Sequence, residues 1–528
     1  MSRRQVAIEI FSPTEGIHRE LPSSMITARS TPSCTADSYY GAVQKDYGTT
    51  LFATGTLGAP SNLIFEADFP AQTVLEVFTH TNMKSYSAGT YANDGQTYTG
   101  TFTDYWNACM HNAVMVYGNG KDLVQYKPAY NSTGTQMGGV SSGSYMALGF
   151  VSFKDHLNLY HTTEGGTACP KRVRWTKVGL LSYATADWGT GTAGFLDLQD
   201  MDGNLLAAGK LGNGAVAIYA ENSVHIQEWV GGNDVYRFTK VLSNLDIPTR
   251  RCFVANDSVH YLLTRDGVYE YAGGRDIKCI SDPIESDFVG VINSSNMSRA
   301  FMQFRKHDNE LRVYVPTGTS TNPDTCYICK VKDNYSWFRG PGEYTAAGQS
   351  QRPSAVTIGD LVGAIGAQNW TFGEMAVKAG AVTPLLADPS GRVVQADKTV
   401  YSLSATGATI PQTFIFDTKD ISSIKDIDPL IQKRYNLTEY MDNQSRWLQC
   451  QVEAKGYGSL YLQYSLDEGN SWTGFDESPK TLTSNWDMYY FDVDRVSPKL
   501  RIRLSNTATN EVVHCRYVKV EFVPGVNL

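Results

Sequence analysis

The sequence predicts an all-β protein: a β-propeller-like domain followed by a C-terminal β-sandwich. Short alternating strands separated by polar turns recur at intervals of roughly 40 to 50 residues. No helical period persists beyond about three turns. Glycine (47 residues) and tyrosine (31 residues) are abundant, while charged residues make up only 19% of the chain. This composition favours strands joined by tight turns, and 528 residues are too many for one compact core.

Residues 1–55 are predicted to form an extended N-terminal arm. Pro13 and Pro22 interrupt the segment, and its apolar residues follow neither a helical nor a strand period. Such a segment can lie along a neighbouring domain or remain a free tail, and the sequence leaves both possibilities open. The opening residues MSRRQVAIEIF have no long apolar run behind the two arginines, so we expect no secretory signal.

Residues 56–412 are predicted to form the propeller-like domain. In VAIYAENSVHIQEWV two alternating strands flank a turn at Glu221–Ser223, and Asp266-Gly267 separates Val259–Thr264 from Val268–Tyr271. The best short-helix candidate is Pro283–Asn293. At this hairpin spacing the segment would form roughly six to eight four-stranded blades. A single large sandwich is the alternative.

Residues 413–528 are predicted to form the β-sandwich, of about 110 residues. A charged connector, FIFDTKDISSIKDIDPL, precedes a compact run of strands. The predicted strands are Trp447–Ala454, Ser459–Ser465, Met488–Val493, Leu500–Leu504 and His514–Val523.

Charge and cysteine content restrict the possible functions. The formal net charge is −8, which disfavours tight binding of nucleic acid because phosphate neutralisation needs a basic surplus. A mildly acidic surface suits a conduit through which DNA slides. No run of about 18 apolar residues exists, so no membrane segment is expected. The nine cysteines are odd in number and widely spaced, so we expect free, mostly buried thiols in a protein made in a reducing cytoplasm.

The sharpest local motif is SxDxGxxW, formed by Ser465, Asp467, Gly469 and Trp472. It matches the Asp-box of sialidases and many other β proteins. An aspartate in this position can accept hydrogen bonds from the turn backbone, glycine can adopt positive φ, and tryptophan can pack under the hairpin. The motif therefore predicts a structural turn. A sialidase would carry several such boxes and a cluster of arginines, whereas only one box is visible.

Two short motifs match the residue spacing of reactive nucleophiles but lack the structural context that such nucleophiles need. Gly139–Gly143 matches GxSxG with Ser141 in the nucleophile position, but a Gly/Ser-rich loop stands where a buried strand and a helix are required. Cys326 and Cys329 form CxxC in a segment that reads as a strand, which places the thiols on opposite faces. Core packing is therefore the favoured interpretation of both cysteines.

Metal and cofactor motifs are equally weak. Asp200–Asn204 resembles the start of a calcium loop, but Gly203 comes too early and Leu211 occupies the position that needs glutamate. His156 and His161 lie on opposite faces of a strand. The sequence predicts no catalytic residue, no metal ligand and no cofactor site, and hence no enzyme.

Several short motifs occur in a recognisable order along most of the chain. They are YGAVQKDYGT (Tyr40–Thr49), FKDHL (Phe153–Leu157), Pro170–Gly179, Gly194–Gly203, Ile226–Gly231, His260–Gly273 and the Ser465–Trp472 turn. Their order resembles the tail nozzle, or tail stabilisation, proteins of short-tailed bacteriophages. No segment matches the tip-forming insertions of that family, so channel-lining residues are not assigned.

The resemblance implies a structural virion protein synthesised in the cytoplasm of a bacterial host. It implies a ring of about six copies at the distal end of the tail. Partners would be further copies of the chain, an adaptor ring near the portal, and tail fibres or spikes. Genomic DNA would pass through the centre without tight binding.

Two other functions fit the sequence. The first is a carbohydrate-binding or glycan-degrading propeller, in which aromatic loops such as Thr99–Trp106 would stack on sugars and a pair of carboxylates would perform hydrolysis. The second is a generic intracellular scaffold, which would be absent from virus particles.

Overall fold

The computed structural model describes residues 6–11, 15–19, 30–31, 34–39, 42–53, 55–87, 90–138, 145–179, 182–183, 188–212, 214–232, 234–351, 382–398, 400–405, 408–422 and 444–524. These residues form a seven-bladed β-propeller and a nearly closed C-terminal β-sandwich. The predicted all-β architecture is confirmed.

The described residues of the N-terminal segment form seven short strands. They are β1 (Val6–Phe11), β2 (Gly16–Ile17), β3 (Ser30–Thr31), β4 (Cys34–Thr35), β5 (Asp37–Tyr39), β6 (Ala42–Gln44) and β7 (Gly48–Leu51).

Blades 1 to 3 follow in chain order. Blade 1 consists of β8 (Ser61–Asp68), β9 (Thr73–Thr79), β10 (Met83–Ser87) and β11 (Thr90–Asn93). Blade 2 consists of β12 (Asn107–His111), β13 (Val114–Gly118), β14 (Gln125–Lys127) and β15 (Thr135–Gln136). Blade 3 consists of β16 (Tyr145–Phe153), β17 (His156–Glu164), β18 (Thr167–Trp175) and β19 (Gly194–Asp197).

Blades 4 and 5 are also continuous in sequence. Blade 4 consists of β20 (Leu205–Leu211), β21 (Ala215–Ala220), β22 (Ser223–Trp229) and β23 (Tyr236–Ser243). Blade 5 consists of β24 (Phe253–Asn256), β25 (Val259–Leu263), β26 (Val268–Tyr271) and β27 (Lys278–Cys279). The hairpins predicted in both blades are confirmed. The predicted short helix is present as a 3-10 turn, Asp282–Ile284, leading into α1 (Glu285–Gly290); a second 3-10 turn is Ser294–Arg299.

Blades 6 and 7 both recruit strands from the N-terminal segment. Blade 6 consists of β28 (Phe301–Arg305), β29 (Glu310–Val315), β30 (Thr325–Lys330) and β31 (Ser336–Pro341), and it is extended by parallel pairing of β31 with β2 and of β2 with β3. Blade 7 consists of β32 (Ala346–Gln351), β33 (Val382–Ala387) and β34 (Val393–Asp397), with β7 as its outer strand.

The first strand of every blade lies beside the first strands of the neighbouring blades, and β32 of blade 7 lies beside β8 of blade 1. These seven strands therefore surround the centre of a closed ring. Separate apolar cores fill the spaces between blades, while one larger core runs from blades 4, 5 and 6 into the sandwich. The two units therefore share buried apolar contacts.

A hairpin and the sandwich complete the chain. Their strands are β35 (Ser402–Ala405), β36 (Ala408–Pro411), β37 (Phe414–Asp417), β38 (Ile421–Ser422), β39 (Ser445–Ser465), β40 (Thr473–Gly474), β41 (Lys480–Leu482), β42 (Asp487–Ser497), β43 (Lys499–Asn506) and β44 (Val512–Val523). The segment predicted as a charged connector contributes β37 and β38, which both pair with β43; residues 423–430 lie outside the described residues.

The long strand β39 belongs to both layers of the sandwich. Its first half pairs with β42 and β44, and its second half pairs with β43, β40 and β41. We expected two strands here, and the structure has one. Gly456 and Gly458 stand between the two halves with φ of +155° and +106°, and a Cβ at Gly456 would lie 1.9 Å from the Val512 carbonyl oxygen. Glycine at these positions lets the strand bend and continue rather than end.

The N-terminal segment is integrated into both units. Besides β2, β3 and β7 in the propeller, β1 and β6 pair with β44 and β4 pairs with β37. Of the two possibilities left open for residues 1–55, the described strands follow the first, since they lie along neighbouring domains.

Buried charges fix this segment to blade 6, and we call them the arm clamp: Asp37, Asp46, Glu310, Arg312 and Lys330. Arg312 contacts both oxygens of Asp46 at 2.9 and 3.1 Å and Glu310 at 3.1 Å. Lys330 contacts Asp37 at 2.7 Å and also pairs with Glu310. Burial raises the pKa of Asp37 to about 7. Although burial opposes it, the charges of Arg312 and Lys330 hold the pKa of Glu310 below its usual range.

Candidate functional site

The SxDxGxxW residues come together in the turn between β39 and β40. Asp467 Oδ1 accepts hydrogen bonds from the Ser471 amide (2.9 Å) and the Ser465 hydroxyl (2.7 Å), and the Gly469 amide donates to Ser465 Oγ (2.8 Å). Gly469 has φ of +92°. Hydrogen bonds from Ser471 and Ser465 lower the pKa of Asp467 to about 2. The carboxylate is thus occupied in holding the turn.

The tryptophan of this motif packs on the outer side of the sandwich. The Arg503 guanidinium lies 3.9 Å above the centre of the Trp472 ring, and it donates to both oxygens of Asp417 at 2.6 and 2.7 Å. A Cβ at Gly469 would lie 3.4 Å from the Trp472 ring. Trp472, Arg503 and Asp417 therefore form a stack that joins the turn to β37 and β43.

The CxxC cysteines are buried in β30, and no atom of Cys326 or Cys329 reaches solvent. Burial raises the pKa of Cys326 to about 11 and raises that of Cys329 well above its usual value. Thiolate, the reactive form of cysteine, is therefore disfavoured at both positions. All nine cysteines are free and six are buried, which confirms the expectation that most thiols are buried.

Lysines occupy the acceptors of the calcium-like turn. Lys240 Nζ contacts Asp202 Oδ2 at 2.6 Å and the Asp200 carbonyl oxygen at 3.0 Å, and Lys171 Nζ donates to the Met201 carbonyl oxygen at 2.7 Å. The ammonium groups of Lys240 and Lys171 thus occupy the positions that a bound cation would take. Hydrogen bonds from these two lysines stabilise the turn.

The two histidines of blade 3 bond to backbone carbonyl groups. His156 Nδ1 lies 2.5 Å from the Thr176 oxygen, and His161 Nδ1 lies 2.8 Å from the Leu205 oxygen. Within the described ranges, no group of three or more His, Cys, Asp or Glu residues could hold a metal ion. The GxSxG residues 139–143 lie outside those ranges.

The suggestion that the Thr99–Trp106 loop stacks on sugars is wrong for its two largest rings. Tyr105 and Trp106 are only 2% and 3% exposed. Tyr105 donates its hydroxyl to the Ser298 carbonyl, and the Trp106 indole donates to the Thr79 carbonyl. These aromatic residues fill the space between blades and are unavailable to a ligand.

Exposed apolar side chains concentrate instead on blades 3 and 4. Of the large apolar side chains exposed among the described residues, five lie in β19, at the end of β22 or in the connections that follow β18 and β22. We call four of them the Trp229 surface: Val178, Leu196, Trp229 and Val230, each between 43% and 51% exposed. The fifth, Phe195, points to the opposite face of β19 from Leu196. Exposed apolar side chains concentrated in this way, with a tryptophan among them, are typical of protein interfaces.

A hollow of about 430 Å³ lies between Val178 and Trp229. Gly231 and Gly232, with φ of +74° and +70°, form its turn. A Cβ at Gly231 would lie 3.2 Å from the Trp229 ring, so the glycine permits the indole to fold back against the turn. The Val230 amide donates to the Val235 carbonyl at 3.1 Å, which fixes the loop that carries the indole.

Charged groups surround Phe195 on the opposite face of β19. Guanidinium groups of Arg172 and Arg174 lie 4.1 and 4.8 Å from the Phe195 ring centre. Both arginines bond to Glu164, and Arg172 also donates twice to Asp197 at 2.7 Å. The hydrogen bonds from Arg172 lower the pKa of Asp197. The Phe195 ring is therefore held by two paired arginines.

Sequence reasoning placed Trp229 in a strand but did not recognise its exposure. The available signal was the pair Trp229-Val230 directly before Gly231-Gly232, at the end of a strand whose other face is apolar. A period-2 pattern tells which residues share a face, whereas the exposure of a strand end depends on what neighbouring blades cover.

No family model matches the chain, and no curated protein matches it. Among solved structures, BBS1N in complex with ARL6DN is 9% identical, covers 68% of this chain and 98% of its own, and has a TM-score of 0.38. The extracellular domain of the hybrid two-component system BT4673 from B. thetaiotaomicron is 8% identical, with 82% of this chain and 47% of its own covered and a TM-score of 0.39. A family 29 carbohydrate-binding module is 11% identical over 23% of this chain and 73% of its own, with a TM-score of 0.15. At these TM-scores none of them carries a functional argument.

Proposed function

We propose that the protein is a structural component of a virus particle, the tail nozzle of a short-tailed bacteriophage, and performs no catalysis. Copies of the chain form a ring at the distal end of the tail, through which the genome leaves. The order of sequence motifs from Tyr40–Thr49 to Ser465–Trp472 supports the assignment. The structural observation that carries it is the Trp229 surface, because a ring subunit needs a fixed apolar surface for its neighbour.

The rigidity of the molecule supports the same function. The N-terminal segment closes blade 7, extends blade 6 and enters the sandwich, and the arm clamp holds it with buried ion pairs. A subunit built in this way resists relative motion of its two units. The position of the Trp229 surface relative to the sandwich is then the same in every copy, which a closed ring requires.

The partners follow from the proposed place in the tail. An adaptor ring near the portal binds one end of the nozzle, and fibres or spikes bind its side. DNA passes through the centre without tight binding, which the net charge of −8 supports. The chain is synthesised in the host cytoplasm and ends in the virion tail. In the described ranges no helix is both long enough and apolar enough to cross a membrane.

The test combines particle analysis with one interface variant. Immunogold electron microscopy of particles made by the encoding virus should label the tail tip, and quantitative mass spectrometry should find about six copies per portal ring. Trp229→Glu should abolish incorporation, because a charge cannot be buried unpaired in an apolar contact. Val289→Glu is the control, since Val289 is 87% exposed on α1, outside the Trp229 surface.

Absence of the chain from particles would overturn the proposal and favour a scaffold or glycan-directed propeller. Normal incorporation of the Trp229→Glu chain would show that the Trp229 surface is not the contact between copies. Tryptophan fluorescence and urea unfolding of the purified variants check that both still fold.

A further inference from the structure

A shallow groove lies on the outer face of the second layer of the sandwich. We call it the Tyr461 groove after its exposed aromatic side chain; it has a volume of about 350 Å³, within the range of ligand sites. The residues of its lining that matter for binding are Tyr461, Gln463, Gly474, Ser478, Ser505 and Thr507.

Strand alternation directs Tyr461 and Gln463 outward. The flanking Leu460, Leu462 and Tyr464 are buried in the sandwich core, so the residues between them face solvent. Tyr461 is 44% exposed and stands opposite Ser505 on β43. An aromatic ring, a hydroxyl and an amide therefore occupy adjacent positions on one open sheet face.

Gly474 keeps the groove open. It stands opposite Gln463 on β40, and no atom lies within 4 Å of the position that its Cβ would take. The SxDxGxxW turn connects β39 to β40 and so places Gly474 beside Gln463. The motif that predicted a structural turn thus forms one wall of the groove.

The lining of the groove carries no charge. The nearest cation in register is Arg503, opposite Gln463, and its guanidinium is held over Trp472 and bonded to Asp417. Within the described part of the chain, the hydroxyls of Tyr461, Ser505 and Thr507 and the Gln463 amide form no hydrogen bond. With respect to the described residues, these four groups can therefore bind a ligand without giving up a hydrogen bond.

We propose that the Tyr461 groove binds a neutral oligosaccharide. Hydroxyl and amide groups both donate and accept, as the hydroxyls of a sugar do. The negative face of the Tyr461 ring suits the weakly positive C–H face of a pyranose. An acidic or phosphorylated ligand would need cationic partners, which the groove lacks. No carboxylate lines it, so the sugar is bound without hydrolysis.

Calorimetry on the full chain tests the proposal with maltohexaose, laminarihexaose and chitohexaose, and with a heparin-derived hexasaccharide as the charged comparison. At least one neutral hexasaccharide should bind, with a Kd of about 0.1 to 1 mM, and be recovered intact. Tyr461→Ala should weaken that binding about tenfold or more. Tyr490→Ala is the matched control, because Tyr490 is 51% exposed on the other layer, and it should leave the Kd unchanged.

Gly474→Leu tests the position of the binding site by filling the groove, while every side chain that lines the groove remains in place. No atom lies within 4 Å of the Cβ that a leucine would have at this position, so the chain should fold normally while the rest of the side chain blocks the open groove and binding is lost. Failure of all three neutral hexasaccharides at about 5 mM would overturn the proposal, as would tighter binding of the heparin fragment. Unchanged binding in both Tyr461→Ala and Gly474→Leu would place the sugar elsewhere and also overturn it.

Discussion

Replacing Arg312 by methionine should destabilise the protein strongly, because Arg312 is the centre of the arm clamp. Arg312, Asp46 and Glu310 are 7%, 5% and 6% exposed. Methionine has a similar length but no charge, so Asp46 would remain buried without its cation. Breaking one side of a buried ion pair costs about 3–5 kcal/mol, and we expect a loss of this size in the free energy of unfolding.

The double variant Arg312→Met/Asp46→Asn separates the buried charge from the packing. With both charges removed, most of the penalty should disappear, leaving an interaction energy of at least about 2 kcal/mol in the double-mutant cycle. Arg516→Met is the control: Arg516 is 49% exposed and pairs with Glu453 at 3.2 Å. An exposed pair of this kind contributes about 0–1 kcal/mol.

Equilibrium urea unfolding followed by tryptophan fluorescence and circular dichroism measures these losses. Trp337 reports on the clamp region because it is fully buried in β31 of blade 6. A loss below about 1 kcal/mol for Arg312→Met, as for Arg516→Met, would show that Arg312 does not hold the arm clamp together. Losses that simply add in the double variant would show the same, since a shared buried contact must produce coupling.

Two further predictions concern protonation and blade closure. Burial lowers the pKa of His111 to about 4, so the unfolded chain takes up a proton below pH 6.5 that the folded chain resists. Stability should fall by about 2 kcal/mol from this group between pH 7 and pH 5, and His111→Gln should remove that part of the slope in urea unfolding. At Gly48 in β7 a Cβ would lie 2.0 Å from a carbonyl oxygen of β35, so Gly48→Ala should lower the urea midpoint by an amount equivalent to about 2 kcal/mol or more, whereas Gly214→Ala, with open space around it, should not.

Local patterns were sufficient to predict the repeating unit of the propeller. The Asp266-Gly267 turn and the alternation around Glu221–Ser223 depend only on neighbouring residues, and the structure has both hairpins. The sequence pattern limits the number of blades to a range but does not fix it, because blade 7 takes its outer strand from β7, about 345 residues before its partner β34. Pairing between distant segments leaves no periodic signal in either one.

Burial limited what could be predicted of the candidate sites. Tyr105 and Trp106 look like ligand-stacking residues in sequence, yet neighbouring blades cover them. Trp229 has the same chemistry and is half exposed because nothing in the described chain covers the end of its strand. The ion pairs of the arm clamp could not be predicted from the sequence either. Asp46 and Arg312 are 266 positions apart, and they become neighbours only in the folded protein. The residue types indicate which side chains could bind a ligand or a partner, and packing decides which of these side chains are exposed.

The N-terminal segment makes the two units interdependent. β7 lies directly before blade 1 in the chain but completes blade 7, so the ring closes only when both ends of the propeller meet. The same segment supplies β1, β4 and β6 to a sandwich whose other strands come from the last part of the chain. Neither unit is therefore a continuous piece of sequence, and the early strands stay unpaired until late segments are made. Blade 4, which carries Trp229, also shares one apolar core with the sandwich, so a ring assembled through the Trp229 surface would hold every copy of the Tyr461 groove in a fixed orientation.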